Sequence, residues 1–241
     1  MELTTVLFDL DGTLLPMDQD EFTRGYFGLL TAKLAPHGYD PKRLIDGVWA
    51  GTAAMVGNDG SRSNEEVFWA KFIELFDESV MKDRPLFDEF YSRDFQGAKR
   101  FCPIDPRAAE TVRAMKAAGC RVVLATNPIF PAVATESRIR WVGLEPSEFE
   151  LYTTYENSHW CKPDLHYYME ILEKLDLRPE ECLMVGNDVG EDMAARALGM
   201  KVFLLTDCLI DREGKGVDAY PHGSFPQLME YWAGLRGKEG I

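Results

Sequence analysis

The chain opens with a short run, LTTVLFD (Leu3 to Asp9), that is β-branched and apolar on both faces toward its end. Runs of this kind are strands of parallel sheets covered on both sides. RVVLAT (Arg121 to Thr126), CLMVG (Cys182 to Gly186) and KVFLLT (Lys201 to Thr206) repeat the pattern, and FELYTTY (Phe149 to Tyr155) is a weaker fifth. Between them the apolar period lengthens to that of a helix. Asp105, Pro106 and Gly119 supply an N-cap, a first-turn proline and a C-terminal stop around the stripe Ala108, Val112, Met115. Leu165, Tyr168, Met169, Leu172 and Leu175 predict a second amphipathic helix, and Glu191 to Leu198 a third, stopped by Gly199. Strands alternating with helices predict an α/β protein with a Rossmann-like parallel sheet.

From about Met17 to Lys99 the alternation breaks, and no strand pattern occurs. Three helical stripes take its place: Phe22, Tyr26, Leu29, Leu30, Leu34; then Leu44, Ile45, Val48, Trp49; then Phe68, Phe72, Leu75, Phe76. Ser63 to Glu66 reads as a capping box opening the third, and Pro85 starts a fourth helix through Phe90 and Phe95. The segment is too long for a loop and large enough for a small bundle. The expected organisation is a core of residues 1–16 and 100–241 with a helical insertion, 17–99, after the first strand. The aromatic residues of the insertion fall at core spacing and read as packing. Two thin connectors, near Leu14 to Gln19 and near Gln96 to Pro103, join the two parts.

Composition narrows the partners. Acidic residues outnumber basic ones 40 to 26, for a formal charge of −14. A nucleic-acid surface needs the opposite balance, so that class is set aside. No run approaches the ~20 apolar residues that span a bilayer, and no membrane partner is expected. The five cysteines form no C-x-x-C pair and are odd in number, which fits a reducing, cytoplasmic setting. The sequence carries no signal of oligomeric state.

Ligands of parallel α/β sheets sit beyond the carboxyl ends of the strands. Here Asp9 and Asp11 follow the first strand; Thr126 and Asn127 end RVVLAT; Gly186 is followed by Asn187 and Asp188, with Asp192 four residues on. Lys162 precedes the second amphipathic helix. If the strands are parallel, all of these converge on one edge. Clustered carboxylates repel, and a hard cation with oxygen ligands is the common answer; Mg²⁺ takes one or two carboxylates and keeps waters. A hydroxyl, an amide and an ammonium beside it make a phosphate cradle. One aspartate there can attack phosphorus and the other can carry protons.

DLDGT, LATN, the lysine of CKPD, and GNDVGED resemble, in order and spacing, the four motifs of the haloacid dehalogenase superfamily. The insertion lies where that family has its helical C1 cap. The resemblance implies a Mg²⁺-dependent phosphatase acting on a small, polar phosphorylated metabolite. It implies Asp9 as nucleophile and metal ligand, and Asp11 as general acid and base with its carbonyl on the metal. Thr126 would bind the phosphoryl group with Asn127 and backbone N–H groups, and Lys162 would neutralise charge. Asp188 would hold the metal; Asn187 and Asp192 would support it. Many members carry Asp where this chain has Asn187, so both Asn187 and Asp188 stand as candidates for the metal-facing position.

Each residue also has a plain reading: Asp9 and Asp11 as turn residues, Thr126 and Asn127 as caps, Lys162 as a solvated lysine, Asp188 and Asp192 as first-turn acids. Singly these are fair; jointly they are poor. His159 and Cys161, though close to Lys162, read as surface or packing residues, and Arg62 in the loop GNDGSR as part of a turn. A phosphomutase uses the same catalytic set and stays open. A dehalogenase lacks the second aspartate, Asp11. A phosphonatase needs an insertion lysine in an apolar pattern, which Lys33, Lys42, Lys71 and Lys82 do not show. A non-catalytic binding protein on this fold would be expected to have lost a motif carboxylate, and none is lost.

Overall fold

The computed structural model describes residues 3–214 and 216–237. Residues 1–2, 215 and 238–241 of the expected core segments lie outside the described residues. Six parallel strands form one sheet: β1 (Thr5–Phe8), β2 (Arg121–Leu124), β3 (Leu151–Tyr152), β4 (Cys182–Gly186), β5 (Lys201–Leu205) and β6 (His222–Gly223). Their order is β3-β2-β1-β4-β5-β6. β1 is therefore flanked by β2 and β4, with Phe8 opposite both Leu124 and Val185. The chain's strand order changes direction between β1 and β4, which is where a sheet of this kind opens a crevice.

The four central strands β1, β2, β4 and β5 are apolar on both faces because both are covered, and the pleat sorts alternate residues into two cores. Val6, Phe8, Leu124, Val185 and Phe203 enter one; Leu7, Val123, Met184 and Leu204 enter the other. α7 (Leu165–Leu175) covers the second core through Tyr167, Tyr168, Ile171 and Leu172. α5 (Pro106–Ala117), α6 (Ala132–Trp141) and α8 (Phe225–Gly237) contribute to the first.

Between β1 and β2, residues 19–101 hold only helices: α1 (Gln19–Leu34), α2 (Pro41–Val56), α3 (Asn64–Phe76), α4 (Arg84–Ser92) and short 3-10 turns. The Ser63–Glu66 capping box is present. α4 ends earlier than its apolar stripe predicts, because Arg93 leaves helical dihedrals; Phe95 belongs to a separate 3-10 helix, Asp94–Phe101. That helix joins the layer to the sheet. Phe95 stacks on Trp141 with centroids 5.3 Å apart and meets Phe22 and Tyr26 edge-on. A second junction is Asn64, fully buried at the start of α3. Its amide donates to Pro128 O (3.3 Å), Trp160 O (3.4 Å) and Cys161 Sγ (3.4 Å), and its backbone N–H to Ser158 O (2.9 Å).

Three elements are not among those predicted from the sequence. β6 is two residues long, too short to carry a pattern. α8 carries a stripe of Phe225, Leu228 and Trp232. α6 buries Ser137 and Arg138 beside Ala134 and Trp141, so polar residues occupy its inward face and hide its period. Two expected elements are shorter than predicted. β3 stops at Tyr152 because the Asn157 amide takes the Tyr152 carbonyl (2.9 Å) and the Thr154 N–H (2.8 Å), replacing a neighbouring strand. The Glu191–Leu198 helix is only a 3-10 turn, Met193–Leu198, since Asp188 Oδ1 first captures the N–H groups of Gly190 and Glu191. Gly199 ends it as expected. Among the described residues no helix is long and apolar enough to cross a membrane, and no disulfide forms.

Because Phe95 is wholly buried among aromatic rings from both layers, Phe95→Ala should cost about 3–5 kcal/mol in urea unfolding. A loss within ~0.5 kcal/mol, the range of surface changes, would show that this ring is not the junction.

Candidate active site

The site begins where β1 ends. Asp9 donates its N–H to Val185 O of β4 (2.9 Å), so its backbone stays on the sheet. Sharing the pleat parity of Leu7, its side chain faces the α7 core. The chain then closes a loop: Thr13 and Leu15 both donate to Leu10 O, and Gly12 N–H to Leu15 O (2.8 Å). Gly12 has φ +86°, and a Cβ there would lie 2.3 Å from Asn187 Nδ2. Glycine is required both by the dihedral and by this close approach to the loop after β4.

Lys162 is 1 % exposed. Its ammonium donates to Asp9 Oδ1 (2.9 Å) and Asp192 Oδ1 (2.6 Å) and lies 5.9 Å from the Tyr167 ring centroid. Burial pushes the lysine down, but the two carboxylates outweigh it and hold the amine well above its ordinary value. Burial raises the Asp192 carboxyl, opposed by Lys162. Its oxygens are fully engaged: Oδ2 accepts from the N–H groups of Asn187 and Asp188, both at 2.9 Å, while Oδ1 takes Lys162. Three donors satisfy a carboxylate. Gly186 makes room for it, because a Cβ there would lie 2.1 Å from the Asp192 carboxyl group.

The remaining motif residues surround this pair. Thr126 is buried, its carbonyl held by Thr153 Oγ1 (2.6 Å) and Tyr167 OH (2.8 Å). Asn127 accepts the Lys162 N–H (3.2 Å) and donates to Glu191 Oε2 (3.1 Å), so its amide positions the lysine loop. Asn187 accepts from Thr13 Oγ1 (2.9 Å) and donates to Cys208 O (2.7 Å), which commits both ends of its amide. Asp188 spends Oδ1 on its own turn and leaves Oδ2.

One residue the sequence reading missed is Arg138 of α6. Fully buried, it pairs with the Asp11 carboxylate, donates to Thr135 Oγ1 (3.3 Å) and lies 4.4 Å from the Phe130 ring centroid. Burial raises the Asp11 carboxyl, Arg138 opposes this, and Asp9 adds to it. No sequence signal marked it, because Thr135 and Ser137 make the inward face of α6 partly polar and its partner Asp11 is distant in the chain.

Asp9, Asp11, Thr126, Asn127, Asn187, Asp188 and Asp192 all line one cavity of about 380 Å³ between the sheet edge and helices α1–α4. Lys162 lies behind Asp9. The oxygens on offer, from the carboxylates of Asp9 and Asp188 and the carbonyl of Asp11, are hard donors. Two carboxylates are the number Mg²⁺ takes while leaving places for water and phosphate. Among the described residues no three His, Cys, Asp or Glu converge as an all-protein cage. The plain readings hold for neighbours outside the cavity lining. His159 pairs with Glu170 (2.7 Å), and Cys161 is buried and pushed up to about 12. Neither Arg62 nor any of Lys33, Lys42, Lys71 and Lys82 lines the cavity. The aromatic residues of the insertion need correction: Phe22, Tyr26, Trp49 and Phe68 not only pack but form its wall, because the stripes that fill the layer also face the sheet edge.

Lys162→Met should leave Asp9 and Asp192 buried together without their cation and cost about 3–5 kcal/mol at neutral pH. Urea unfolding checks it, and unchanged stability would mean that the two carboxylates find another counter-charge.

The sequence matches the haloacid dehalogenase-like hydrolase family model over residues 3–199. It is 27% identical over 205 residues to a phosphoglycolate phosphatase of Vibrio vulnificus (strain YJ016), covering 85% of this chain and 84% of that protein. It is 25% identical over 207 residues to a ribulose-1,5-bisphosphate 5-phosphatase of Halopiger xanaduensis, covering 83% and 84%. Among solved structures, a 2-haloacid dehalogenase from Pseudomonas syringae pv. Tomato DC3000 has the same fold, with a TM-score of 0.64 at 20% identity over 96% of this chain and 98% of that one. With the matched segment running from β1 to the end of the turn after β4, the chain belongs to the haloacid dehalogenase-like hydrolases.

Proposed function

We propose that this hydrolase is a Mg²⁺-dependent phosphatase that cleaves a small phosphorylated metabolite through an aspartyl-phosphate on Asp9. The observation that carries the reading is the Asp9 carboxylate at the cavity floor, with Oδ1 on a buried ammonium and a second aspartate two residues on. The phosphatase names of the two sequence relatives support the same reaction class.

Lys162 fixes Asp9 through Oδ1, which leaves Oδ2 to attack phosphorus. As the new P–O bond forms, the bond to the leaving oxygen breaks, and Asp11 gives that oxygen a proton. Asp11 then takes a proton from water, whose oxygen attacks phosphorus; the Asp9–P bond breaks and inorganic phosphate leaves. Burial equips Asp11 to carry the proton, and its ion pair with Arg138 equips it to give the proton up. The Thr126 hydroxyl and the Asn127 N–H bind the transferring group, since the Asn127 side chain is engaged elsewhere. Asp9, Asp188 and the Asp11 carbonyl would hold Mg²⁺, which supplies positive charge beside the phosphoryl oxygens. Asn187 and Asp192 support this set. Helices α1–α4 within 17–99 act as a separate cap over the core, closing the site from water. The free thiol of buried Cys161 and the lack of disulfides among the described residues fit the cytoplasm.

Asp9→Asn should abolish turnover and the acid-stable mass increment of the phosphoryl adduct while the protein stays folded, since Lys162 keeps Asp192. Residual hydrolysis by the pure variant would remove Asp9 as nucleophile. Chelation should stop turnover, and added Mg²⁺ should restore it. Asp188→Ala should raise the Mg²⁺ concentration needed for half-maximal rate more than Asn187→Ala, because the Asn187 amide already has partners at both ends. Turnover in excess chelator would exclude the metal, and the opposite order would assign its ligand to Asn187.

A further inference from the structure

The cavity is two-sided. Its floor is the acidic strand edge, and its walls are apolar: Phe22, Tyr26, Trp49, Trp69 and Phe87 from helices α1–α4, and Phe130 from the core. Several of these rings already contact one another, Tyr26 with Phe130 at 5.6 Å and Trp69 with Phe87 at 5.6 Å between centroids, both near perpendicular. Among the described residues no Lys, Arg or His of α1–α4 lines it; the charged side chain those helices add is Asp88. The one basic residue in the lining is Arg212, from the loop after β5, which is exposed and donates to Gln19 Oε1 (3.3 Å) at the rim. Apart from Asp88, the polar atoms of the helical walls are neutral. Tyr26 and Tyr91 share a hydrogen bond (2.8 Å), and the Trp69 indole N–H is buried beside Tyr155.

Resting on the phosphatase reading above, we propose that the leaving group of the substrate is uncharged and apolar, with an aromatic or similarly flat body. It would lie among the Tyr26, Trp49, Trp69 and Phe87 rings while its phosphate meets Asp9. A second carboxylate or phosphate on the leaving group would have to enter an apolar chamber whose helical walls hold no cation, with Arg212 only at the rim and carboxylates at its floor, and an unpaired anion there is strongly disfavoured. A flat apolar body instead gains ring contacts, in offset or edge-on geometry, at no desolvation cost. The volume, about 380 Å³, lies near the lower end of the ~300–1,000 Å³ of small-molecule sites, which suits a one- or two-ring group. This departs from the polar metabolite that the sequence resemblance implies.

Three alkyl phosphates separate leaving-group recognition from leaving-group chemistry: ethyl phosphate, 2-phenylethyl phosphate and 2-phosphoglycolate, each assayed with Mg²⁺. The expected kcat/KM for 2-phenylethyl phosphate exceeds both others by at least about tenfold, the scale on which hydrophobic pockets discriminate. Trp49, half exposed on the wall, can be changed without opening the core. Trp49→Arg should lower that value and raise the one for 2-phosphoglycolate. A wild-type preference for 2-phosphoglycolate, or equal values for all three, overturns the apolar chamber while leaving the phosphatase intact. Turnover of none of them sinks the phosphatase reading itself, and binding then decides the chamber. Quenching of Trp49 and Trp69 fluorescence should show 2-phenylethyl phosphate binding more tightly than 2-phosphoglycolate; the reverse order overturns the proposal.

Discussion

The structure is organised around one buried cation. Lys162 reaches across from the loop after β3 to stand between Asp9 at the end of β1 and Asp192 beyond β4. Two carboxylates this deep in the protein would repel each other and lose hydration; a single ammonium between them removes both problems at once. Much of the local architecture serves that placement. Asn127 holds the lysine's own N–H, Gly186 vacates the space that Asp192 occupies, and the N–H groups of Asn187 and Asp188 complete the Asp192 shell. Sheet topology makes it possible, because β1 and β4 are neighbours at the switch point and bring residues 9 and 192 to one edge.

What was legible in the sequence follows from how locally each feature is encoded. Strands buried on both faces show as continuous apolar runs, so five of the six appear directly in the residues. The cluster of acids was legible because jointly these residues fit ordinary turn and cap roles poorly, and parallel strands bring their carboxyl ends to one edge. Arg138 was not legible, for the opposite reason. A buried arginine is justified only by its partner, and Asp11 lies 127 positions away. The same residue disguises α6, whose inward face is half polar. Likewise the end of β3 is set by the side chain of Asn157, five residues on, which no strand pattern contains.

The insertion shows a further limit. Its aromatic stripes were legible as helical faces, but not which surface they would meet. Rings such as Phe72 and Phe90 are wholly enclosed within the layer, whereas Trp49, on an equivalent stripe, faces the cavity half exposed. Periodicity identifies a face that must be covered. Whether protein or substrate covers it depends on how the layer is seated, and that is fixed by distant contacts: Asn64 on the loop through residues 158–161, and Phe95 on Trp141.

The two aspartates of the first motif differ in a way their spacing alone does not explain. Asp9 keeps the parity of Leu7 and turns to the α7 side, where Lys162 lies near Tyr167. Asp11, in the turn that Gly12 completes, goes to the other side and meets Arg138 against Phe130. Each carboxylate thus has its own buried cation, one from each core of the sheet, and the two are pulled apart rather than left to share a charge. Separation of this kind gives neighbouring carboxylates different tasks. Asp9, bonded to the Lys162 ammonium, suits the part of the proposed nucleophile. The other, raised by burial and lowered by its arginine, is held between those two influences and so suits the proton-carrying role. The arrangement also accounts for how a chain of net charge −14 can gather acids at one point. The compensating charges are not on the surface, where solvent would screen them, but beneath the site, where their effect is strongest.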